Sequence, residues 1–283
     1  MRAGRAASSV EEIAALAQTA AKYRSMSPLL VRSIAAEEIT RHGKQDDVIK
    51  HVRRRLHQAA GAYLAGKPCY GAWLKEMQNS ASDSDGFRSV CMRIMSLHSS
   101  SRERADFLAE FYDTLFEAIP PVRSVADLAC GYNPLAIPWM QLSLGCRYLA
   151  IDIYSDLADF LNEALLLTGV SCRAVVADLL QPCPQLSSRF DLVLILKTLP
   201  CLEQLRKGSA LALLQSLNAR HIAISYPTHS LGGRRKGMEQ FYECWFRKLA
   251  DEQGWMVRHF SFARETLYIV EKKENNNPPP GEF

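Results

Sequence analysis

The sequence lacks several features that would each assign it to a common class of protein. No apolar run approaches the roughly 18–20 residues that a membrane-spanning helix needs. The first thirty residues contain no apolar stretch followed by a cleavage site, so we expect a soluble, cytoplasmic protein. The eight cysteines form no C-x-x-C pair and have no zinc-ligand spacing, which predicts free thiols and no bound metal.

Glycine is scarce where a dinucleotide-binding loop would need it. The segment VADLACGYNP (125–134) ends a β-rich run in a turn with a single glycine, Gly131. The G-x-G-x-x-G pattern is therefore absent, which argues against a cradle for a dinucleotide pyrophosphate. A cofactor without phosphates, such as S-adenosylmethionine, needs less glycine. Taken alone, the segment is also compatible with an ordinary strand, turn and helix.

Positive charge is concentrated in the first third of the chain. Residues 1–105 contain 17 Lys and Arg against 10 Asp and Glu, whereas residues 106–283 contain 17 against 20. A one-sided excess of this kind indicates either a polyanionic partner or an ordinary solvated surface. Composition alone does not separate the two.

The basic third has the periodicity of helices. Helices are predicted over 8–23, with a serine cap, over 27–41, with Pro28 in the first turn, and over 46–65. The third of these has an apolar face opposite Lys50, Arg53, Arg54 and Arg55, which indicates a small helical module with a basic surface. A polar loop is predicted at 79–86, with helical patterns resuming at about 87–97 and 103–118.

Beyond Pro120 and Pro121, short β-rich runs alternate with helical segments. The predicted strands are 122–129, 147–153, 172–177, 190–196, 220–225, 255–262 and 266–271. Such alternation predicts an α/β fold with a mainly parallel seven-stranded sheet, in which the last two runs form a hairpin. We expect a helical domain over 1–105, a catalytic core over 106–274 and a disordered Pro-rich tail over 275–283.

Acidic residues follow the second and third predicted strands. Asp152 lies 21 residues after Gly131, a spacing typical of a carboxylate that binds ribose hydroxyls, although it is also compatible with a helix cap. Asp178 ends the next strand and offers an acceptor for the amine of adenine, with Leu179 placed to stack on the ring. Three successive strands thus end in residues suited to a nucleoside, which is more informative than any one of them.

Four blocks carry a specific resemblance. These are HSSSRER (98–104), DLACGYNPLAIPW (127–139), LKTLPCLEQ (196–204) and SYPTHSLGGRRKGM (225–238). In order and spacing they resemble the signature blocks of the 16S rRNA guanine-N7 methyltransferases that confer aminoglycoside resistance. The resemblance covers residues from about 22 to about 272. It implies a class I (Rossmann-like) methyltransferase core with a helical N-terminal domain that binds the 30S subunit.

The resemblance also implies roles for residues. Arg104 is expected to hold the cofactor carboxylate, and Lys197 to contact the target guanine or its phosphate as the catalytic residue. The expected contacts of S-adenosylmethionine, and of its product S-adenosylhomocysteine, are His98, Ser100, Arg104, Ala129, Gly131, Asn133, Asp152, Ile153, Asp178, Leu179, Leu196 and Gln204. The expected RNA contacts are Arg53, Arg54, Arg55, Lys197, Arg234, Arg235 and Lys236. Aromatic rings offered for stacking on a flipped base are Tyr132, Trp139 and Tyr226.

The segment after the fourth predicted strand agrees with attack by guanine N7. Residues 196–200 read LKTLP, so the Asn/Asp-Pro-Pro-aromatic tetrapeptide common in amino methyltransferases is absent. Guanine N7 has an in-plane lone pair and no proton to lose, so alignment with the methyl group is sufficient. The missing general base fits this target without proving it.

The implied reaction is N7 methylation of a guanine in the aminoglycoside-binding decoding region of 16S rRNA, carried out by a monomer on the 30S subunit. The added methyl group and positive charge are expected to weaken binding of the cationic drug. Two alternatives remain open at this point: a methyltransferase of the same fold acting on another base, for instance adenine N1, and a non-catalytic ribosome-binding protein.

Overall fold

A computed structural model of the protein describes residues 9–58, 63, 66–143, 145–228 and 238–272, with side chains from 246 onward in the last range. In these residues, helices occupy the N-terminal third and alternate with strands thereafter. The α-helices are α1 (Val10–Gln18), α2 (Pro28–Arg41), α3 (Gln45–Leu56), α4 (Tyr70–Ser80), α5 (Ser84–Met95), α6 (Ser99–Arg102), α7 (Leu108–Glu117), α8 (Ser155–Ala164), α9 (Leu199–Leu205), α10 (Ser209–Ser216) and α11 (Met238–Gln253).

All seven predicted strands are present and form one sheet. They are β1 (Ser124–Leu128), β2 (Arg147–Asp152), β3 (Ser171–Val176), β4 (Phe190–Leu196), β5 (Ala219–Pro227), β6 (Met256–Ser261) and β7 (Glu265–Glu271). The strand order is β3-β2-β1-β4-β5-β7-β6, in which β1 to β5 run parallel and β7 is antiparallel to both neighbours. The predicted mostly parallel sheet with a terminal hairpin is therefore confirmed.

The order of the strands creates the position of the site. Chain order reverses beside β1, where the chain moves outward through β2 and β3 and then returns to β4 on the other side. In doubly wound sheets the loops at this switch point separate and leave a crevice at the carboxyl ends of the strands. The segment after β1 fills part of the crevice with a 3₁₀ turn, Asn133–Trp139, rather than the expected α-helix.

The N-terminal helices differ from prediction in several boundaries. The helix α1 begins at Val10, where the hydroxyl of Ser9 accepts from the Glu12 N–H, as expected of a serine cap. The third predicted helix is α-helical over Gln45–Leu56 and continues as a π-helical turn at His57 and Gln58, and most of its remaining predicted range lies outside the described residues. The helix α4, which buries Trp73 and Met77 at a spacing of one turn, was not predicted.

The predicted polar loop at 79–86 is largely helical. The helix α4 continues to Ser80, and α5 begins at Ser84 because the Asp83 side chain accepts from the Asp85 N–H. Serine and aspartate therefore mark a helix start here rather than a long loop. The predicted helix over 103–118 is also divided, since α7 covers only Leu108–Glu117.

One apolar cluster extends from the N-terminal helices to one face of the sheet. Ile13 of α1, Val52 of α3 and Leu194 of β4 are all fully buried members of it. Backbone bonds also join the two parts, since Ser27 N–H donates to the Ile153 carbonyl at 2.7 Å. The predicted domain boundary near residue 105 stays a prediction, because packing is continuous across it. The predicted tail lies outside the described residues.

Among the helices of the described ranges, none combines the length and the apolar character that crossing a bilayer requires.

Candidate active site

A cavity of about 880 Å³, counting solvent at its mouth, opens at the carboxyl ends of β1 to β4. The sheet side contributes Ala129, Gly131, Tyr132, Asp152, Ile153, Tyr154, Asp178, Leu179, Leu196, Lys197 and Thr198. Helices α8 and α9 add Leu157, Cys201, Leu202 and Leu205, and the N-terminal third adds Leu30, Tyr63, Tyr70, His98 and Ser100. The N-terminal third is thus part of the site itself.

The backbone turns sharply where β1 and β4 enter the cavity. Ala129, Gly131 and Lys197 all have positive φ, at 50°, 50° and 59°. A Cβ at Gly131 would lie 3.1 Å from the His98 ring, so glycine is favoured both by φ and by this close approach. Left-handed conformation at a non-glycine residue is unfavourable and is found most often at functional sites.

Asp152 is organised by backbone donors at the end of β2. Its Oδ2 accepts from the Gly131 N–H at 2.8 Å, and its Oδ1 accepts from the Ile153 N–H at 2.7 Å. Burial raises the pKa of this carboxyl, and the backbone bonds offset part of that rise. The carboxylate therefore links the turns after β1 and β2.

One carboxylate oxygen of Asp178 has no hydrogen-bond donor among the described residues. Its Oδ1 accepts from the Leu180 N–H at 2.9 Å, whereas its buried Oδ2 has no hydrogen-bond partner among the described residues. Burial raises the pKa of this carboxyl as well. A buried acceptor without a donor is unfavourable unless a ligand supplies one, and an exocyclic amine has the required chemistry.

The aromatic wall of the cavity contains a neutral histidine. The His98 ring stacks on Tyr63 at a centroid distance of 5.7 Å and is tilted against Tyr132 at 5.3 Å. Burial, with a further contribution from Lys197, lowers the pKa of His98 to about 4. Its Nδ1 is buried without a partner in the described part of the chain, so it is a second group available to a ligand.

A buried ion network lies behind the cavity. Arg104 donates from Nε to Glu265 at 3.0 Å, from Nη2 to the same carboxylate, and from Nη1 to Asn133 at 3.0 Å. Asn133 in turn donates to Asp127 at 2.9 Å. Burial alone would raise the pKa of Glu265, but Arg104 and Lys197 hold it below its usual value. The network joins β1, β7 and the segment after α6.

Two predicted cofactor contacts belong to this network rather than to the cavity lining. Arg104 and Asn133 do not line the cavity, and the bonds of the guanidinium are directed to Glu265 and Asn133. Gln204 is exposed on α9 and does not line it either, because that helix turns Cys201 and Leu205 towards the cavity. Contact of these three residues with the cofactor stays a prediction, and the other nine expected cofactor contacts line the cavity.

Lys197 lines the cavity with its ammonium already paired. The Nζ atom lies 2.8 Å from Glu103 Oε2, 3.2 Å from Glu265 Oε2 and 3.2 Å from the Ser100 carbonyl. The expected contact of this ammonium with guanine or phosphate stays a prediction. Any such contact has to share the ammonium with these carboxylates.

Asp127, Glu103 and Glu265 were missed by reasoning from sequence. Asp127 lies in the DLACG block and accepts from the Tyr148 hydroxyl at 2.7 Å, and burial raises its pKa to about 6. Its position four residues before Gly131 was an available signal. No local sequence pattern indicated Glu265, because it lies 161 residues from its partner Arg104.

Two of the three arginines expected to bind RNA have structural roles. Arg53 donates to the Leu16 carbonyl at 2.7 Å, and Arg55 pairs with Glu37 and Glu38 at 2.8 and 2.9 Å. These bonds tie α3 to α1 and α2 and leave fewer donors for RNA, whose contact with both arginines stays a prediction. Arg54 is exposed, and its RNA contact stays a prediction. Arg234, Arg235 and Lys236 lie outside the described residues.

The three aromatic residues offered for base stacking differ in position. Tyr132 lines the cavity, with its ring against Trp73 at 5.7 Å. Trp139 is half-buried outside the cavity, where Arg88 covers its ring. Tyr226 is buried against Tyr268, so its ring cannot receive a base. Within the ranges that the structure describes, no group of three or more metal-ligating side chains occurs.

The sequence matches a known protein family and several of its named relatives. A family model described as ribosomal RNA methyltransferase (FmrO) matches residues 19–270. The chain is 39% identical over 255 residues to a 16S rRNA (guanine(1405)-N(7))-methyltransferase of Micromonospora echinospora, covering 89% of this chain and 92% of the relative. It is 36% identical to the protein of that name from Serratia marcescens, covering 89% and 94%.

Solved structures agree with these relatives. The 16S rRNA methyltransferase RmtF, in complex with S-adenosyl-L-homocysteine, superposes with a TM-score of 0.78 at 32% identity over 94% of this chain and 99% of that one. The 16S rRNA methylase RmtB superposes with a TM-score of 0.75 at 30% identity, covering 94% and 99%. The similarity includes the N-terminal helices, since it extends over nearly the whole chain.

Proposed function

The chain belongs to the ribosomal RNA methyltransferase (FmrO) family, and we propose that it methylates N7 of a guanine in the decoding region of 16S rRNA, using S-adenosylmethionine. The observation that carries the proposal is the cavity at the switch point of a class I methyltransferase sheet, where Gly131, Asp152 and Asp178 meet. The relatives named for guanine 1405 supply the target base.

The residues of the cavity fit the nucleoside part of the cofactor. Asp152 offers carboxylate oxygens of the kind that bind ribose hydroxyls. Asp178 would accept from the adenine amine through its unpartnered Oδ2, and Leu179 would cover the ring. The buried Nδ1 of neutral His98 is available to the amino-acid part. When bound, S-adenosylmethionine supplies an electrophilic methyl group on a positively charged sulfur.

The chain's own residues need to align the guanine rather than remove a proton from it. The lone pair of N7 lies in the plane of the ring and is free at neutral pH, so a general base is unnecessary. Lys197 would donate to the guanine or its phosphate while Glu103 and Glu265 hold its position. Holding the reacting atoms in place can supply several kcal/mol of the barrier, roughly 7–11 kcal/mol at best.

The N-terminal third would guide the enzyme to its substrate. Residues 1–105 carry an excess of positive charge, which is suited to phosphates of the 30S subunit. Arg54 is an exposed member of this set. Action by a monomer in the cytoplasm is part of the same proposal. A methylated, positively charged N7 would repel a cationic aminoglycoside, which makes resistance the expected consequence.

The test is methylation of purified 30S subunits with radiolabelled S-adenosylmethionine, followed by N7-selective strand scission. A single scission at the decoding-region guanine is expected, and Asp178→Asn should reduce labelling whereas the exposed Asp159→Asn should not. Label without scission would move the reaction to another atom, such as adenine N1. No label from a folded protein that binds the cofactor would favour a non-catalytic ribosome-binding protein.

A further inference from the structure

Glu103 is paired with Lys197, a residue that lines the cavity, and its only role so far is to hold that lysine in position. Its Oε2 lies 2.8 Å from the Lys197 ammonium, and its side chain is 23% exposed where that of Lys197 is 5% exposed. The Oε1 atom of Glu103 accepts no hydrogen bond from the part of the chain that the structure describes. One oxygen is thus fixed by the lysine, and the other is open.

The neighbouring carboxylate cannot take the same role. Glu265 is fully buried and is held by two nitrogens of Arg104 as well as by Lys197. Its charge is compensated within the protein. Of the two carboxylates that pair with Lys197, Glu103 is therefore the one whose side chain is partly exposed beside a cavity-lining residue.

An ammonium beside a carboxylate matches one edge of guanine. Guanine presents an acceptor, O6, next to two donors, N1–H and the N2 amine. Adenine presents a donor, the N6 amine, next to an acceptor, N1, and this order is the reverse. Enzymes that act on a flipped base read it by hydrogen bonds to this edge. The Lys197–Glu103 pair has the polarity that favours guanine.

We propose that Glu103 determines base specificity by accepting hydrogen bonds from N1–H and the N2 amine of the target guanine, while Lys197 donates to O6. The inference rests on the proposed function, since it assigns the recognition of the base in the same reaction. Glu103 belongs to the HSSSRER block, and no role was predicted for it from the sequence.

The same contact would become stronger as the reaction proceeds. Transfer forms the bond between N7 and the methyl carbon, and the electron pair of the broken bond stays on sulfur. The purine gains a positive charge and keeps its N1–H, which becomes a better donor. A carboxylate at N1–H therefore stabilises the transition state more than the bound guanine, which accelerates the reaction.

The first experiment compares Glu103→Gln with the wild-type enzyme on 30S subunits. We expect kcat/KM to fall about 10- to 100-fold, the range for a hydrogen bond to a charged group, with unchanged affinity for S-adenosylhomocysteine. The matched control is Glu110→Gln, which removes a carboxylate from an exposed position on α7. Activity of Glu103→Gln equal to that of the control would overturn the proposal.

The second experiment measures specificity, which a purely structural role would not change. Subunits with adenine in place of the target guanine serve as the competing substrate. Wild-type enzyme and Glu103→Asp should both prefer guanine strongly, whereas Glu103→Gln should narrow the ratio at least tenfold, because an amide can donate to adenine N1. An unchanged ratio would overturn the proposal. If Glu103→Gln does not fold, the Glu103→Asp variant decides. Loss of its preference for guanine over adenine would overturn the proposal, and retention of that preference would support it.

The two proposals fail in different ways. Absence of N7 methylation by the wild-type protein would remove the proposed function itself. N7 methylation by the wild type, together with an unaltered Glu103→Gln variant, would leave that function intact and remove only the role of Glu103.

Discussion

At the end of the cavity formed by β2 and β3, Asp152 and Asp178 are bonded to backbone N–H groups, whereas at the β4 end Lys197, and behind it Arg104, are paired with carboxylates. Burial raises the pKa of both aspartates and their backbone bonds offset part of that rise, while the cations lower the pKa of Glu265. The first end keeps acceptors for the donors of a ligand. The second end compensates most of its charges within the protein.

This difference predicts whether a substitution at each end affects ligand binding or folding. A carboxylate that awaits a ligand contributes to binding and little to folding. A carboxylate inside a closed ion network contributes to folding first, because its removal leaves a buried cation alone. Removal of a carboxylate from the ion network should therefore destabilise the fold more than removal of an aspartate that awaits a ligand.

Glu265→Gln should cause the largest loss of stability. The substitution leaves Arg104 and Lys197 with one fewer counter-charge in a buried site, and breaking such a pair costs about 3–5 kcal/mol. The measurement is the free energy of unfolding in urea. Glu252→Gln, in an exposed pair with Lys248, is the control and should change it by less than about 1 kcal/mol. Equal effects would show that the network does not stabilise the fold.

His98 should make stability depend on pH. Its folded pKa of about 4 lies below the ordinary value of 6.5, so the unfolded state binds the proton more readily between these values. Stability should therefore fall as pH is lowered from 6.5 to 4, by up to about 3 kcal/mol. His98→Gln should lack this component.

Asp127 should have the opposite dependence. Its folded pKa of about 6 lies above the ordinary value of 3.8, so the folded state binds the proton more readily between them. Stability should rise as pH falls through this range and partly cancel the effect of His98. Urea titrations of wild type, His98→Gln and Asp127→Asn from pH 4 to 7 separate the two, and parallel curves for all three proteins would refute both assignments.

Asp178→Asn should weaken the cofactor with little change in folding. The amide places a donor where the unpartnered Oδ2 acceptor now lies, so the affinity for S-adenosylhomocysteine should fall about 10- to 100-fold. Calorimetric titration measures the affinity, and thermal unfolding without ligand checks the fold. Asp159→Asn on exposed α8 surface is the matched control. Unchanged affinity would mean that Asp178 does not bind the adenine amine.

The smallest effects are expected for two neighbouring arginines of α3, Arg53, which is bonded within the protein, and Arg54, which is exposed. Arg53→Ala removes bonds to the Leu16 and Ala17 carbonyls and should lower stability by about 1–2 kcal/mol. Arg54→Ala should leave stability within about 0.5 kcal/mol, yet reduce the salt dependence of 30S binding by about one phosphate contact. The reverse pattern would exchange the structural and RNA-binding roles of the two arginines.

Local pattern was sufficient to predict the sheet and three residues that line the cavity. Each of the seven strands was found near its predicted position, because alternation and apolar runs depend on neighbouring residues. Gly131, Asp152 and Asp178 could be located because each follows a strand, and parallel strands bring their carboxyl ends to one edge. The helix α4 was missed because it buries only two residues, Trp73 and Met77, and so has a narrow apolar face.

Only the tertiary structure decided what the charged residues bind. The sequence determined that the chain has basic N-terminal helices, a parallel sheet and acidic residues at strand ends. The pairing of Arg104 with Glu265, across 161 residues, and of Lys197 with Glu103, across 94, depends on how α6, β4 and β7 pack. Long cationic side chains reach whichever carboxylate folding brings near, and that distance is not encoded in local spacing.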